Sequence, residues 1–238
     1  MTIKRSNTPE PDPEFDAFAK NYDEALQEGL DLTGESKEYF AQHRVEWITE
    51  QLKSRKVPTK SILDFGCGTG GSVDYLLEQL APDRLVGTDV SDDSLKIARS
   101  SHPDPRCHFE RLDQFKPNAD LDLAFCNGVF HHIPLSDRQQ CVQTIFEALK
   151  PGGHFCFWEN NPWNPGTRWV MKRVPFDRDA IMLWPSESRR LLRQSGFEIV
   201  TTQYCFFFPN FLRALRPLEA YLASIPLGGQ YLVIAKKP

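Results

Sequence analysis

Ile62-Leu63-Asp64-Phe65-Gly66-Cys67-Gly68-Thr69-Gly70-Gly71 is the stretch that decides the fold of this chain. An apolar run carries one acid, Asp64, and then breaks into glycines. Ser72-Val73-Asp74-Tyr75-Leu76-Leu77 follows with helical spacing. A strand, a tight glycine turn and a helix start bring backbone close to a ligand. The next apolar run, Leu85-Val86-Gly87-Thr88, closes on Asp89. A carboxylate at that point accepts hydrogen bonds from a ribose hydroxyl pair.

The glycines fit two cofactor classes. Gly66, Gly68 and Gly71 satisfy the G-x-G-x-x-G spacing of dinucleotide sites. Asp64 argues against that class, because a carboxylate there repels a pyrophosphate. S-adenosyl-L-methionine has no phosphate and carries an ammonium and a sulfonium, which an acid favours. The stretch Leu63 to Gly71 closely resembles the first motif of the class I S-adenosylmethionine-dependent methyltransferases. The resemblance covers residues 60–160 by motif and the rest by element order. It implies an α/β, three-layer Rossmann-like fold with a seven-stranded, mostly parallel sheet and an antiparallel last strand. It also implies methyl transfer to the oxygen or nitrogen of a small molecule, without a metal.

The same resemblance assigns residues. Asp64, Gly66, Cys67, Gly68, Gly70, Asp89 and Val90 belong to the cofactor cradle. In the family an acid at the position of Asp113 meets the adenine amino group, with Gln114 and Leu112 as candidates to close over the ring. Asn127-Gly128-Val129-Phe130-His131-His132 resembles the motif after the fourth strand, where Asn127 and Gly128 line the methionine end. Tyr22 resembles a residue of the amino-terminal segment that folds over the cofactor in many small-molecule methyltransferases. Arg44 on the second helix is a candidate partner for the methionine carboxylate, since a guanidinium matches a carboxylate. His131 and His132 are candidate general bases. As neighbours on an extended or turn backbone they are expected to point apart. Neither stands at metal-ligand spacing.

Around this core the pattern alternates. Residues 1–13 are polar with three prolines and read as a disordered tail, and 14–238 as one domain. Helices are expected at 14–30 (Phe15, Phe18, Tyr22, Leu26) and at 36–54, the second capped by Ser36. These two form a helical cap before the first strand, 60–65. Helix 71–80, strand 84–89 and helix 92–100 with Ser91 as its cap come next. Strands follow at 106–109 and 121–126. A helix is expected from Ser136, with Gln139 closing a capping box, to near Lys150. Pro151-Gly152-Gly153 marks a turn before a strand at 154–159. A helix from Ser186, a strand within 197–208 and a last strand at 231–235 complete the order. Alternating strands and helices with short turns mean a mostly parallel sheet covered on both faces.

Bulk properties exclude several classes. The 238 residues carry a net charge of −4, with no basic footprint for nucleic acid. No apolar stretch approaches a membrane span and no signal peptide opens the chain. The six scattered cysteines form no C-x-x-C. The chain therefore reads as cytoplasmic, with a small-molecule partner.

Two segments bear on the acceptor. Four of the five tryptophans fall within 157–185, a long connection at the carboxyl end of a strand, where function is more common than filler. Arg168, Arg173, Arg178 and Asp179 there are candidates for a polar or anionic acceptor, with a solvated loop surface the first reading for most of them. In 204–227, Phe206-Phe207-Phe208 precedes a stripe of Phe211, Leu215, Leu218 and Leu222. Core packing is the first reading of that stripe, a pocket lid the second and a membrane-surface helix the third. Pro217 is expected to bend or split the helix. Two other functions stay open from sequence: a non-catalytic S-adenosylmethionine-binding protein and an NAD(P)-dependent oxidoreductase. The missing Asn/Asp-Pro-Pro-Tyr signature argues against methylation of base amines.

Overall fold

The computed structural model describes residues 34–174 and 180–238. The expected tail and first helix, with Tyr22, lie outside the described residues, as do Arg178 and Asp179. Seven strands form one sheet: β1 (Ser61–Phe65), β2 (Arg84–Asp89), β3 (Cys107–Arg111), β4 (Leu121–Asn127), β5 (Leu149–Asn160), β6 (Glu198–Cys205) and β7 (Gln230–Lys236). Their order across the sheet is β3-β2-β1-β4-β5-β7-β6. All pairs are parallel except those of β7, which runs antiparallel to β5 and to β6.

Central parallel strands are covered on both faces and so read as unbroken apolar runs. Every residue of β1 is buried. Alternate side chains go to opposite faces. On one face Ile62, Leu123, Cys156, Leu232 and Ile234 meet helices α1 (Lys37–Ser54), α2 (Val73–Leu80) and α3 (Asp92–Ser101). On the other, Leu63, Ala124, Phe155, Phe157, Val233 and Ala235 meet α4 (Arg138–Ala148) and Leu192 of α6 (Pro185–Gln194). A short helix, α5 (Pro165–Met171), lies within the tryptophan-rich connection. A 3-10 segment, Asn210–Leu218, leads into the four-residue α7 (Glu219–Leu222).

Ser36 and Ser91 cap as expected: their hydroxyls accept from the Tyr39 and Ser94 amides at 3.2 and 3.1 Å. The expected capping box at Ser136 does not form. Helix α4 starts at Arg138, Ser136 donates to Asp137, and Gln139 reaches Ser195 at 2.6 Å. Tertiary contact with the end of α6 has taken the side chain that local geometry would use. Helix α6 starts at Pro185, one residue early, and Glu187 accepts the Trp184 amide at 2.8 Å.

Two larger corrections concern the acceptor half. Strand β5 starts at Leu149 rather than His154, and Pro151-Gly152-Gly153 forms an irregularity inside the ladder, not a turn before it. The Gly152 amide donates to the Lys237 carbonyl at 2.9 Å, so the glycines remain paired. The stripe at 211–222 is not core. The 3-10 segment contributes no buried residue, and Phe211 is 80% exposed among the described residues. The break in this segment falls at Leu212 (φ −108°, ψ 17°) and not at Pro217, which lies within the 3-10 turns that lead into α7.

Candidate active site

The carboxyl ends of β1, β2, β4 and β5 converge on one edge, the usual ligand edge of an open α/β sheet. Because β7 is antiparallel, its first residue, Gln230, sits at that edge too, paired with Asn160. The glycine loop leaves β1 there. Gly66, Gly68 and Gly70 all have positive φ (72°, 53° and 89°). A Cβ on Gly66 would stand 2.4 Å from Val129 Cγ2, so only glycine lets this loop pass the segment after β4. Gly70 has another reason to be glycine: the His102 ring would lie 2.6 Å from its Cβ. Gly68 faces open space, since a Cβ placed there would meet nothing within 4 Å among the described residues.

Two acids lie beneath and beside this loop. Asp89 takes the Gly68 amide on one oxygen at 2.8 Å and the Ser91 amide on the other at 2.9 Å. Each carboxylate oxygen keeps capacity for a further donor. Val90 beside it is exposed. Asp64 is buried, and its Oδ2 has no hydrogen-bond partner among the described residues. Burial, with Asp89 adding like charge, pushes its carboxyl up to about 7. A buried acceptor with no donor calls for a cationic or N–H partner. The loop, its open face at Gly68 and this orphaned oxygen suit a cofactor with a positively charged end.

Not all expected cofactor residues behave alike. Cys67 turns its thiol into the core, and burial holds that thiol well above its ordinary range. Asp113 is engaged by Arg111 at 3.0 Å, and Arg111 also reaches Asp92 at 3.1 Å. Gln114 is exposed. Arg44 donates from Nε to Gln230 Oε1 at 2.8 Å, and Gln230 Nε2 donates to Asn160 Oδ1 at 3.0 Å. That chain of contacts joins α1, β7 and β5.

Asn127, Gly128, His131, His132 and Arg44 line a cavity of about 370 Å³. Its other walls are largely aromatic and apolar: Tyr39 and Phe40 from α1, Trp169, Val170, Met171 and Val174 in and after α5, and Phe206 to Phe208 with Phe211. The amides of Phe206, Phe207 and Phe208 all donate to the buried Glu219 carboxylate, at 2.9, 3.1 and 3.1 Å. This fixes the aromatic wall. Burial pushes the Tyr39 phenol up to about 12, which keeps it protonated near neutral pH.

His131 and His132 do not point apart. Their rings lie 4.1 Å centroid to centroid, and both line the cavity. The backbone turns here, with His132 donating to the Val129 carbonyl and Ile133 to Phe130. In such a turn neighbouring side chains diverge far less than on a strand. His131 is buried, and its Nδ1 lies 2.6 Å from Glu159 Oε2. The other oxygen of Glu159 takes the Phe130 amide at 2.8 Å. Glu159 is itself 2% exposed, so this is an internal pair. Glu159 is not among the residues singled out from sequence. The signal was present: an acid near the end of an otherwise apolar strand is rarely buried without a partner.

A family profile described as a methyltransferase domain matches residues 63–155. Trans-aconitate 2-methyltransferase of Rhodopseudomonas palustris (strain BisB5) is 26% identical over 139 residues, 58% of this chain and 54% of that protein. The chain thus spans about half the length of such curated relatives. A solved S-adenosylmethionine-dependent methyltransferase from Mesorhizobium loti is 25% identical with a TM-score of 0.58, over 81% of this chain and 98% of the other. Sequence and fold together liken the chain to the class I S-adenosylmethionine-dependent methyltransferases, with the methyltransferase-domain match confined to residues 63–155. Magnesium protoporphyrin IX methyltransferase from Synechocystis PCC 6803, solved with bound SAH, shares the fold at a TM-score of 0.64 and 16% identity. That alignment covers 95% of this chain and 99% of the other.

Proposed function

We propose that this protein transfers a methyl group from S-adenosyl-L-methionine to an oxygen of a small-molecule acceptor, with His131 as general base and Glu159 as the residue that positions it. The observation that carries this reading is the buried His131–Glu159 pair on the wall of the cavity beside Asn127 and Gly128. When bound, S-adenosyl-L-methionine supplies a sulfonium methyl, whose carbon–sulfur bond breaks as the bond to the acceptor oxygen forms. Asp89 suits a ribose hydroxyl pair, and Asp64, with the loop of Gly66, Gly68 and Gly70, suits the cationic end. Arg44 is the cavity's guanidinium for the methionine carboxylate. Tyr22, Asp113 and Gln114 retain the roles expected of them from the family. His132 is kept as a neighbour that shapes the cavity.

The chemistry asked of the chain is modest. Glu159 accepts the Nδ1–H of His131, which fixes the tautomer and leaves Nε2 as the proton acceptor. His131 Nε2 takes the hydroxyl proton of the acceptor as that oxygen becomes nucleophilic. The carboxylate of Glu159 then stabilises the imidazolium that results. Tyr39, with its raised phenol, serves as a donor and not as a base. The aromatic walls exclude water and align the acceptor, which is the larger part of the rate in a two-reactant displacement.

Three measurements test the reading. Calorimetry with S-adenosylhomocysteine against NAD(P)H decides the cofactor class. Methyl transfer from labelled S-adenosylmethionine to a panel of hydroxylated acceptors decides between an enzyme and a binding protein. Full S-adenosylhomocysteine affinity with unchanged turnover in both His131→Ala and Glu159→Gln would remove the general-base assignment.

A further inference from the structure

The cavity wall does not stop at the cavity mouth. Phe211 lines the cavity and is also 80% exposed. The residues that follow, Leu212, Leu215 and Leu218, are exposed as well, as is Tyr221 at 85%. The 3-10 segment that carries the first of these contributes no buried residue. It is held in place from behind: Glu219 fixes the chain before it, and Arg216 pairs with Glu35. At the far end, Asn164 donates to the Leu227 carbonyl at 2.7 Å and Thr167 to Gly229 at 2.8 Å. An apolar track anchored this firmly costs solvation in the free protein, and contiguous apolar surface marks a binding site.

One group of the cavity's polar side chains lies by the carboxyl edge of the sheet. Asn127, Asn160 and Gln230 belong to the sheet edge and His131 to the turn after β4, and the rings of Phe40, Trp169 and Phe206 to Phe208 line the same cavity. A small polyanion such as the trans-aconitate named for the relatives would meet Lys37 and Arg44, but with Glu35 on the same wall and rings over most of the rest. An acceptor with one hydroxyl head and a long apolar body fits both sets of side chains.

We propose that the acceptor is an amphiphile: a hydroxyl-bearing head that reaches His131, joined to an extended apolar chain that leaves the cavity past Phe211 and lies along Leu212, Leu215 and Leu218. Phe211, shared by the cavity wall and the exposed 3-10 segment, selects this occupant. The proposal rests on the methyl-transfer reading for the role of the head, and on the track alone for the chain. A chain lying on a half-open surface loses about half of the water-accessible area it would lose if engulfed. Each added methylene should then tighten binding about twofold, against about fourfold for full burial.

The test is equilibrium binding of 4-alkylphenols, from ethyl to octyl, to the full chain in the presence of S-adenosylhomocysteine, read by tryptophan fluorescence. The dissociation constant should fall about twofold per methylene. In the double variant Leu215→Ser, Leu218→Ser it should stop falling after the first few carbons, with binding of 4-ethylphenol unchanged and trans-aconitate failing to compete in either protein. A dissociation constant independent of chain length overturns the proposal, as does unaltered chain-length dependence in the variant. In the latter case a changed melting temperature assigns the track to residues 1–33, and a changed oligomeric state assigns it to a second copy. Because S-adenosylhomocysteine binding is measured first, its absence identifies failure of the cofactor reading instead. A single-site variant, Leu215→Ser, keeps the test decisive where the double variant does not fold.

Discussion

Replacing Asp64 by Asn removes an acid that the fold does not want ionised. Its carboxyl is buried, one oxygen has no donor among the described residues, and burial with Asp89 nearby raises it from 3.8 to about 7. An acid raised in the folded state holds its proton there after the unfolded chain has released it. Stability is therefore greatest below pH 4 with respect to this group, falls as pH rises through the range from about 4 to about 7, and stays at its reduced level above. The gap corresponds to roughly 4 kcal/mol at 1.36 kcal/mol per pH unit, as an upper bound. An Asn amide lacks the ionisation penalty but still leaves buried polar atoms short of partners, which costs about 1–3 kcal/mol. Asp64→Asn should therefore be less stable than the natural protein at pH 4 and equal or more stable at pH 8. Denaturant melts of both proteins across pH 4–9, without cofactor, measure the difference directly. S-adenosylhomocysteine should reverse the order at pH 8, because a cationic partner restores the value of the charge. A stability difference that does not change with pH would refute the argument, whatever its size.

Other outcomes are expected from the same geometry. Asp89→Ala should weaken S-adenosylhomocysteine binding more than tenfold in calorimetry, since it removes the oxygens set for a hydroxyl pair and frees the Gly68 amide. His131→Ala should lower turnover by about 10²–10⁴-fold at constant cofactor affinity, and Glu159→Gln should lower it while shifting the pH–rate profile. Gly66→Ala should destabilise the fold by about 1–3 kcal/mol or more in thermal melts, because its Cβ would meet Val129 at 2.4 Å from a backbone at φ 72°. Glu219→Gln turns one accepting oxygen into an NH2 donor and leaves at least one amide of Phe206 to Phe208 without its acceptor. It should raise the acceptor KM and leave S-adenosylhomocysteine affinity alone.

The cofactor half of the molecule was legible because its signals are local. The run into Asp64, the glycines and Asp89 specify strand, turn and helix within thirty residues of chain, and β2 matches its expected span of 84–89. The acceptor half was not, because its structure depends on partners remote in sequence. Gln139 carries a capping-box pattern but is drawn to Ser195. Leu215 and Leu218 have the spacing of a buried stripe, yet periodicity reports that a face is apolar and not what covers it. His131 and His132 stand out in the sequence, but their mutual geometry follows from a turn that residue spacing alone does not define. Glu159 sits in a run of buried strand residues whose periodicity concealed its one charged member.

The insertion of β7 between β5 and β6 sets an order of events during folding. The pairs β1–β2, β2–β3 and β4–β5 join strands that are neighbours in the chain, whereas β1 finds β4 across β2 and β3, and β7 finds β5 across the whole of α5, α6 and β6. Closing so long a loop is slow compared with local pairing. Gln230 meets Asn160, and the Phe206–Phe208 wall meets the sheet edge, only in that step. The cradle for the methyl donor is then formed before the chamber for the acceptor, and donor present during synthesis can hold the early half together while the late half arrives. Pulse-labelled hydrogen exchange should find the amides shared by β1 and β2 protected ahead of those shared by β5 and β7, and the lag between the two should set the time at which the proposed activity appears.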